Sequence, residues 1–171
     1  SMLQKQGEMQ TDVVIVGGGL VGLTAAMIML AAGYQVVILE KSGLDKVNRQ
    51  VLSLSAATIK ILQHLGLWEY LHAKALAIEA LHLSTQGQWP RLFLSSKEAG
   101  SDAFGYRLLA QDLSDVLLKQ LRKSASCMFV RAADIRSVTT SEQAVTVFYE
   151  QLGRGHRLEA SLLLAADGSH S

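Results

Sequence analysis

The first forty residues alternate between strand-like and helix-like patterns. Residues 12–16 and 35–39 are short and almost wholly apolar, which is typical of strands buried on both faces of a parallel sheet. Residues 20–32 between them are rich in helix formers, and Gly33 is placed to end a helix. The pattern therefore predicts a β-α-β unit whose two strands lie parallel in one sheet.

The rest of the chain changes period several times. Residues 41–52 are polar and predict a loop, whereas residues 56–75 have helical periodicity interrupted at Gly66 and predict two short helices. Apolar and polar residues then alternate, which predicts an antiparallel hairpin over residues 81–94. A helix at 112–123 is followed by five predicted strands, at 127–130, 135–139, 145–149, 156–160 and 162–166.

Composition excludes several classes of protein. Of the 171 residues, 49% are hydrophobic and 18% are charged, which indicates a folded domain rather than a disordered chain. The net charge of +1 argues against a nucleic-acid-binding protein. The single cysteine excludes an internal disulfide, no Cys/His spacing predicts a metal site, and the composition favours a cytoplasmic location.

Residues 13–32 carry no charge and are long enough to span a bilayer, so a membrane helix is an alternative. Three consecutive glycines, Gly17 to Gly19, oppose it because each costs about 1 kcal/mol inside a helix. The strand, turn and helix interpretation is therefore preferred.

Nothing before Asp12 resembles a signal peptide. Ser1 and Met2 are interpreted as a tag remnant, and residues 1–11 as a flexible N-terminus.

The turn between the first strand and the helix has the pattern G-x-G-x-x-G. Gly17 permits the tight turn, Gly19 allows the backbone to approach a pyrophosphate, and Gly22 lets the helix pack close to the strand. The N–H groups of residues 19–22, which include Leu20 and Val21, would then face the phosphates.

Two acidic residues follow predicted strands. Glu40 lies 18 residues beyond Gly22, where a carboxylate accepts hydrogen bonds from both hydroxyls of a ribose. Asp167, followed by Gly168, ends the last predicted strand, at the edge where doubly wound sheets bind ligands. Together these signals predict a site for an adenine dinucleotide; a β-α-β unit without a nucleotide is the alternative.

Two of these signals lie in longer stretches, VVIVGGGLVGLTAAMIMLAAGYQVVILEK over residues 13–41 and LLLAADGSHS over residues 162–171. Both stretches resemble the group A flavoprotein monooxygenases, the family of para-hydroxybenzoate hydroxylase. A third stretch, VLSLSAATIKILQHLGLW over residues 51–68, narrows the match, since it is similar to the ubiquinone-biosynthesis hydroxylases of the 2-polyprenyl-6-methoxyphenol hydroxylase type. The resemblance covers residues 12–171 and the first part of such an enzyme, so the chain is expected to be an N-terminal fragment.

The resemblance implies an α/β fold with a Rossmann-like FAD-binding domain, as in para-hydroxybenzoate hydroxylase. A three-stranded or hairpin insertion would begin the substrate domain. The expected division is residues 12–77 for the first part of the FAD-binding domain, 78–105 for the start of the substrate-domain sheet, and 106–171 for the continued FAD-binding domain.

The resemblance also implies FAD as the cofactor and NAD(P)H as the co-substrate in the hydroxylation of a phenolic, ubiquinone-precursor-like ring by O2. No side chain is assigned as an acid or base, because the flavin performs the chemistry. The implied cofactor-binding residues are Gly17, Gly19, Leu20, Val21, Gly22, Glu40, Lys41, Arg49, Gln50, Gln111, Ile135 and Asp167.

Two positions depart from the family pattern. The family's cofactor-binding arginine aligns with Gln50, beside Arg49, and its polar helix-opening residue aligns with Ala110, beside Gln111. A shift of one residue in each loop would restore both contacts. Ile135 is expected near the adenine, and Asp167 near the ribityl chain and pyrophosphate.

The expected partners are an aromatic or quinone-precursor substrate, the inner face of a membrane as a peripheral contact, and other enzymes of the same pathway. The fragment is expected not to turn over substrate by itself.

Two alternatives remain open: an NAD-dependent dehydrogenase, and a non-catalytic nucleotide-binding partner protein. The dehydrogenase predicts further β-α units after Glu40, which the predicted hairpin and the successive strands after residue 127 fit poorly.

Overall fold

The computed structural model describes residues 8–41, 47–78 and 105–166. These form two compact units: residues 8–41 with 117–166, and residues 47–78 with 105–116. The helices and strands, in chain order, are β1 (Glu8–Val16), α1 (Leu20–Ala31), β2 (Val36–Leu39), β3 (Val51–Ser55), α2 (Ala56–His64), α3 (Trp68–Leu71) with a 3-10 turn (His72–Lys74), β4 (Leu76–Ile78), β5 (Gly105–Leu109), α4 (Ala110–Lys123), β6 (Cys127–Val130), β7 (Asp134–Thr140), β8 (Val145–Gln151) and β9 (Arg154–Ala165).

The first unit contains a six-stranded sheet in the order β6-β2-β1-β9-β8-β7. The strands β6, β2, β1 and β9 are mutually parallel, and β8 and β7 continue the sheet in antiparallel pairs. Val16 is in register with Leu39 and with Ala165, and Leu39 is in register with Val130. The four parallel strands therefore end at the same level, along one edge.

The core of this unit lies on both faces of its parallel strands. All four residues of β2 are buried, as a strand covered on both faces requires. Val14 and Val37 pack on one face with Leu158 of β9 and with Val147 and Tyr149 of the antiparallel strand β8. The two kinds of strand thus share one hydrophobic cluster and stabilise each other.

The predicted β-α-β unit is confirmed, with α1 ending at Ala31 and Gly33 in a left-handed conformation (φ +92°). The prediction of a flexible N-terminus is wrong for residues 8–11, because they form the start of β1 and pair with β9. The two strands predicted at 156–160 and 162–166 are one continuous strand, β9. The reason is that β9 pairs with β1 along both halves, so no turn separates them.

The second unit contains an antiparallel sheet with the strand order β3-β5-β4. The two predicted short helices are confirmed, and Gly66 lies between them at φ +73°. Ser55 caps α2, since its hydroxyl accepts a hydrogen bond from the Thr58 N–H at 3.2 Å. The rings of Trp68 and Tyr106 pack edge to face with centroids 4.8 Å apart, which joins α3 to β5.

Several predictions for this part of the chain need correction. The loop predicted to run to residue 52 ends earlier, because β3 begins at Val51. The strands β4 and β5 were not predicted, and α4 begins at Ala110, two residues before its predicted start. The predicted hairpin at 81–94 lies outside the described residues, and the domain boundaries at 78 and 105 stay predictions.

The uncharged stretch 13–32 is divided between β1, a turn and α1. In the described parts of the chain, no helix has the length and hydropathy needed to cross a membrane.

Candidate cofactor site

The candidate site lies at the carboxyl ends of the parallel strands. Backbone hydrogen bonds continue one residue past the strands: the Gly17 N–H donates to the Leu39 carbonyl at 2.9 Å, and the Glu40 N–H donates to the Val130 carbonyl at 2.9 Å. The Ala166 N–H likewise donates to the last carbonyl of β1 at 2.8 Å. These bonds bring the glycine turn and Glu40 to neighbouring positions on one edge, where open α/β sheets bind ligands.

Each glycine of the turn has a separate structural reason. Gly17 has φ +112°, a left-handed conformation that a side chain would strain. A Cβ on Gly22 would overlap the carbonyl oxygen of Gly17, so this position permits the close packing of α1 against the turn. A Cβ on Gly19 would meet no described protein atom within 4 Å, so the backbone there is open to a ligand.

The first turn of α1 provides hydrogen-bond donors beside this opening. Gly19 is the extended N-cap residue, and its carbonyl accepts the Leu23 N–H at 2.9 Å. The N–H groups of Leu20, Val21 and Gly22 precede the first intrahelical bond and so have no partner within the helix. The first turn contains no acidic residue, and the helix dipole adds positive potential, so the arrangement suits a pyrophosphate.

Glu40 is a buried charged residue at the end of β2, with 7% of its surface exposed. Its backbone is fixed on both sides, because its N–H donates to Val130 and its carbonyl accepts the Ala133 N–H at 2.8 Å. Its carboxylate Oε2 lies 3.9 Å from Nε of Arg131, whose side chain is 61% exposed. Lys41 follows and is exposed.

The donors and acceptors present fit the adenosine diphosphate part of FAD. Backbone N–H groups at the start of α1 suit the pyrophosphate, and the Glu40 carboxylate suits the two ribose hydroxyls. The open side of Gly19 provides the space that a pyrophosphate close to the backbone needs. Among the residues that the structure describes, no group of three His, Cys, Asp or Glu side chains could hold a metal ion.

Three further predicted site residues lie in the second unit. Gln111 accepts a hydrogen bond from the Asn48 N–H at 2.8 Å, and the Ala110 N–H donates to the Gln50 carbonyl at 2.8 Å. These two bonds fix the loop before β3 to the start of α4. Arg49 is exposed between Asn48 and Gln50. The structure therefore brings Arg49, Gln50 and Gln111 together, and their contacts with a cofactor stay predictions.

The last two predicted residues are differently placed. Ile135 lies in β7, in register with Tyr149, and packs against the hydrophobic cluster of the first unit. Asp167 lies outside the described residues. Arg131 was missed by the sequence analysis. Its position directly after the predicted strand 127–130 resembles that of Glu40 after 35–39, but only the strand order places the two residues side by side.

Comparisons with known proteins show which family the chain belongs to. Residues 10–171 match the family described as FAD binding domain. The p-hydroxybenzoate hydroxylase of Acinetobacter baylyi is 25% identical over 164 residues, which cover 95% of this chain and 40% of that protein. The ubiquinone hydroxylase UbiL of Rhodospirillum rubrum is 25% identical over 166 residues, which cover 94% of this chain and 38% of that protein.

A solved structure shows the same fold. The crystal structure of p-nitrophenol 4-monooxygenase PnpA from Pseudomonas putida superposes with a TM-score of 0.79 at 26% identity, covering 95% of this chain and 42% of that one. The chain thus spans about 40% of the length of the relatives it matches. The predicted fold class and the prediction of FAD as cofactor are both confirmed. The chain belongs to the FAD binding domain family.

Proposed function

We propose that this chain is the FAD-binding part of a monooxygenase that hydroxylates an aromatic ring. The overall reaction consumes the ring, O2, NAD(P)H and one proton, and it yields the hydroxylated ring, water and NAD(P)+. The observation that carries the proposal is the pairing of the open glycine turn with Glu40 on one sheet edge, within a chain matched by the FAD family over residues 10–171. The named relatives support the reaction class, since they include hydroxylases of aromatic compounds.

When bound, FAD supplies the redox chemistry, and the protein supplies binding and orientation. In this proposal the N–H groups at the start of α1 hold the pyrophosphate, and Glu40 accepts hydrogen bonds from the ribose hydroxyls. Gly22 keeps α1 close to β1, so that these donors stay beside Gly19. In this proposal these groups bind the cofactor, and none of them is assigned as an acid or base.

The proposed substrate is a phenolic ring of the ubiquinone-precursor type. Support comes from similarity to UbiL and from the stretch at residues 51–68 that resembles ubiquinone-biosynthesis hydroxylases. A precursor of this kind carries a lipid tail, so we also propose peripheral contact with the inner face of the membrane and association with other enzymes of the pathway.

An NAD-dependent dehydrogenase is supported less well. After Glu40 such a fold would continue with β-α units that each run directly into a parallel strand. Here the antiparallel strands β7 and β8 stand in the chain between the parallel strands β6 and β9, and they extend the sheet beyond β9. A direct comparison of the two ligands separates the proposals. We expect calorimetric titration of the chain to give saturable binding of FAD and none of NAD.

The Glu40→Gln variant tests the assigned site in the same titration. It keeps the size of the side chain but removes the negative charge of the hydrogen-bond acceptor. We therefore expect the Kd for FAD to rise by about tenfold or more. Glu159→Gln is the matched control, because Glu159 is paired with Arg157 on the same sheet. Binding of NAD without FAD would contradict the proposal, and substrate-dependent NAD(P)H oxidation by the 171-residue chain would contradict its expected inactivity.

A further inference from the structure

Arg131 is fixed in place beside the cofactor site. It follows β6 directly, and the neighbouring residues Val130 and Ala133 both hydrogen-bond to the backbone of Glu40. The carbonyl of Arg131 accepts a hydrogen bond from Nε2 of Gln151 at 2.8 Å. Hydrogen bonds to Gln151 of β8 and to the residue after β2 thus fix the backbone around Arg131. Its Cα therefore has a defined position on the edge of the sheet where Glu40 lies.

The charges of Arg131 and Glu40 are unequally exposed. The Glu40 side chain is 10% exposed, whereas 61% of the Arg131 side chain is exposed. A buried carboxylate is costly unless a partner compensates its charge, and Arg131 Nε lies 3.9 Å from its Oε2. The Arg131 side chain therefore lies beside the Glu40 carboxylate, which is assigned to the ribose, while most of its own surface is exposed to solvent.

We propose that Arg131 is a positioning residue for FAD, which holds the Glu40 carboxylate in the orientation that accepts the ribose hydroxyls. The proposal rests on the proposed use of this edge as the FAD site. Arginine is suited to this role because its guanidinium carries several N–H donors in a rigid plane, so one edge of the group can donate to a carboxylate while other N–H donors remain. Arg131 then acts on the adenosine end of the cofactor through Glu40.

A double-mutant cycle on FAD affinity tests this role. We expect Arg131→Gln to raise the Kd for FAD about tenfold, because the carboxylate loses the group that orients it. In the Glu40→Gln background the same change is expected to have little effect. Arg131→Lys keeps the charge and is expected to recover part of the affinity. FMN lacks the adenosine, so any affinity for FMN is expected to be the same in all variants.

Arg157→Gln is the matched control. Arg157 also pairs with a glutamate, Glu159, at 3.7 Å, but it is in register with Glu8, at the opposite end of β1. Val16 lies eight positions further along this strand, at a distance of about 25 Å. We expect this variant to bind FAD as the unmodified chain does. Thermal unfolding of both arginine variants checks that each is folded at the temperature of the titration.

The outcomes separate the two proposals. If the unmodified chain binds FAD and Arg131→Gln binds it equally well, the role of Arg131 is overturned and the site stands. If Arg131→Gln weakens binding equally in the Glu40→Gln background, action through Glu40 is overturned. If the unmodified chain does not bind FAD, the proposed cofactor site is overturned, and with it the proposed role of Arg131.

Discussion

The two halves of the six-stranded sheet use the same hydrophobic cluster but present different surfaces. In the parallel half, β2 is buried at every position, and the strand ends share one level. In the antiparallel half, exposed and buried positions alternate in the middle of β8, and β7 is exposed at all but one position. Residues that directly follow the parallel strands are therefore concentrated at one edge of the sheet. The exposed side chains of the antiparallel strands are instead spread over a face.

One Arg–Glu pair from each half shows the same difference. Arg136 binds Glu150 at 2.9 Å, but both side chains are about half exposed, so the pair contributes little to stability. Arg131 and Glu40 are 3.9 Å apart, yet Glu40 is almost completely buried. The shorter pair is a surface contact and the longer one belongs to the candidate site, so burial and position indicate function better than distance does.

The largest effect is expected from filling the space between the turn and α1. In Gly22→Val the added Cβ would overlap the carbonyl oxygen of Gly17, which is backbone and cannot move without disturbing β1. We expect a loss of about 3 kcal/mol in the free energy of unfolding, measured by urea denaturation. Gly155→Val, in the antiparallel half, is the control, because a Cβ there meets no described atom within 4 Å. Equal midpoints for the two variants would contradict the assigned packing.

The second prediction concerns a thiol in the parallel half. Cys127 lies in β6, in register with Val36, and burial raises the pKa of its thiol to about 11 from the ordinary value of 9.0. At pH 8 the folded chain should hold about a hundredfold less thiolate than an exposed cysteine, so labelling by iodoacetamide should be slower by a similar factor. The same chain unfolded in urea provides the reference rate.

This raised pKa also fixes the sign of a stability change. Above pH 9 the thiol loses its proton in the unfolded chain but keeps it in the folded one, so stability falls between pH 9 and about pH 11. Cys127→Ala should lose less stability over this interval. A labelling rate that does not differ between folded and unfolded chains would show that the thiol is accessible.

A third, smaller effect separates cofactor binding from folding. In Gly19→Ala the new methyl group meets no protein atom, and the backbone there (φ −75°, ψ −176°) is open to any residue. We expect the free energy of unfolding to change by less than about 0.5 kcal/mol, and FAD to bind about tenfold more weakly because the methyl group blocks the approach of the pyrophosphate. Gly155→Ala should alter neither quantity. Unchanged FAD affinity in Gly19→Ala would remove the turn from the site.

The parallel half was predicted well because its signals are local. Runs of apolar residues, a helix-forming segment and a glycine pattern each lie within one stretch of sequence. The error at β9 also has a local cause. Residues 157–160 pair with both β8 and β1, whereas residues 162–165 pair with β1. The sequence changes in the same place, where the apolar run 162–166 follows a more polar segment, and the two segments were predicted as separate strands although β9 is continuous.

The features that were missed depend on distant pairing. The strand β3 pairs with β5, which follows it by about fifty residues in the chain, and neither is long enough to show a clear period. Arg131 is adjacent to Glu40 because β6 is the neighbour of β2, and strand order of this kind is set by the whole sheet. Spacing predicted Glu40, but the residue that holds it could be found only in three dimensions.

The smallest effect is expected at the hairpin between β8 and β9. Leu152 has φ +52°, followed by Gly153 at φ +74°, and its side chain is 93% exposed. A left-handed leucine is strained, whereas Asn is tolerated there, and Asn-Gly is the preferred pair for a hairpin turn of this kind. We expect Leu152→Asn to raise the free energy of unfolding by about 0.5–1 kcal/mol and to leave FAD affinity unchanged. Leu152→Ala removes the same exposed surface without the backbone preference, so an equal gain in that variant would show that exposure, and not φ, sets the stability of this turn.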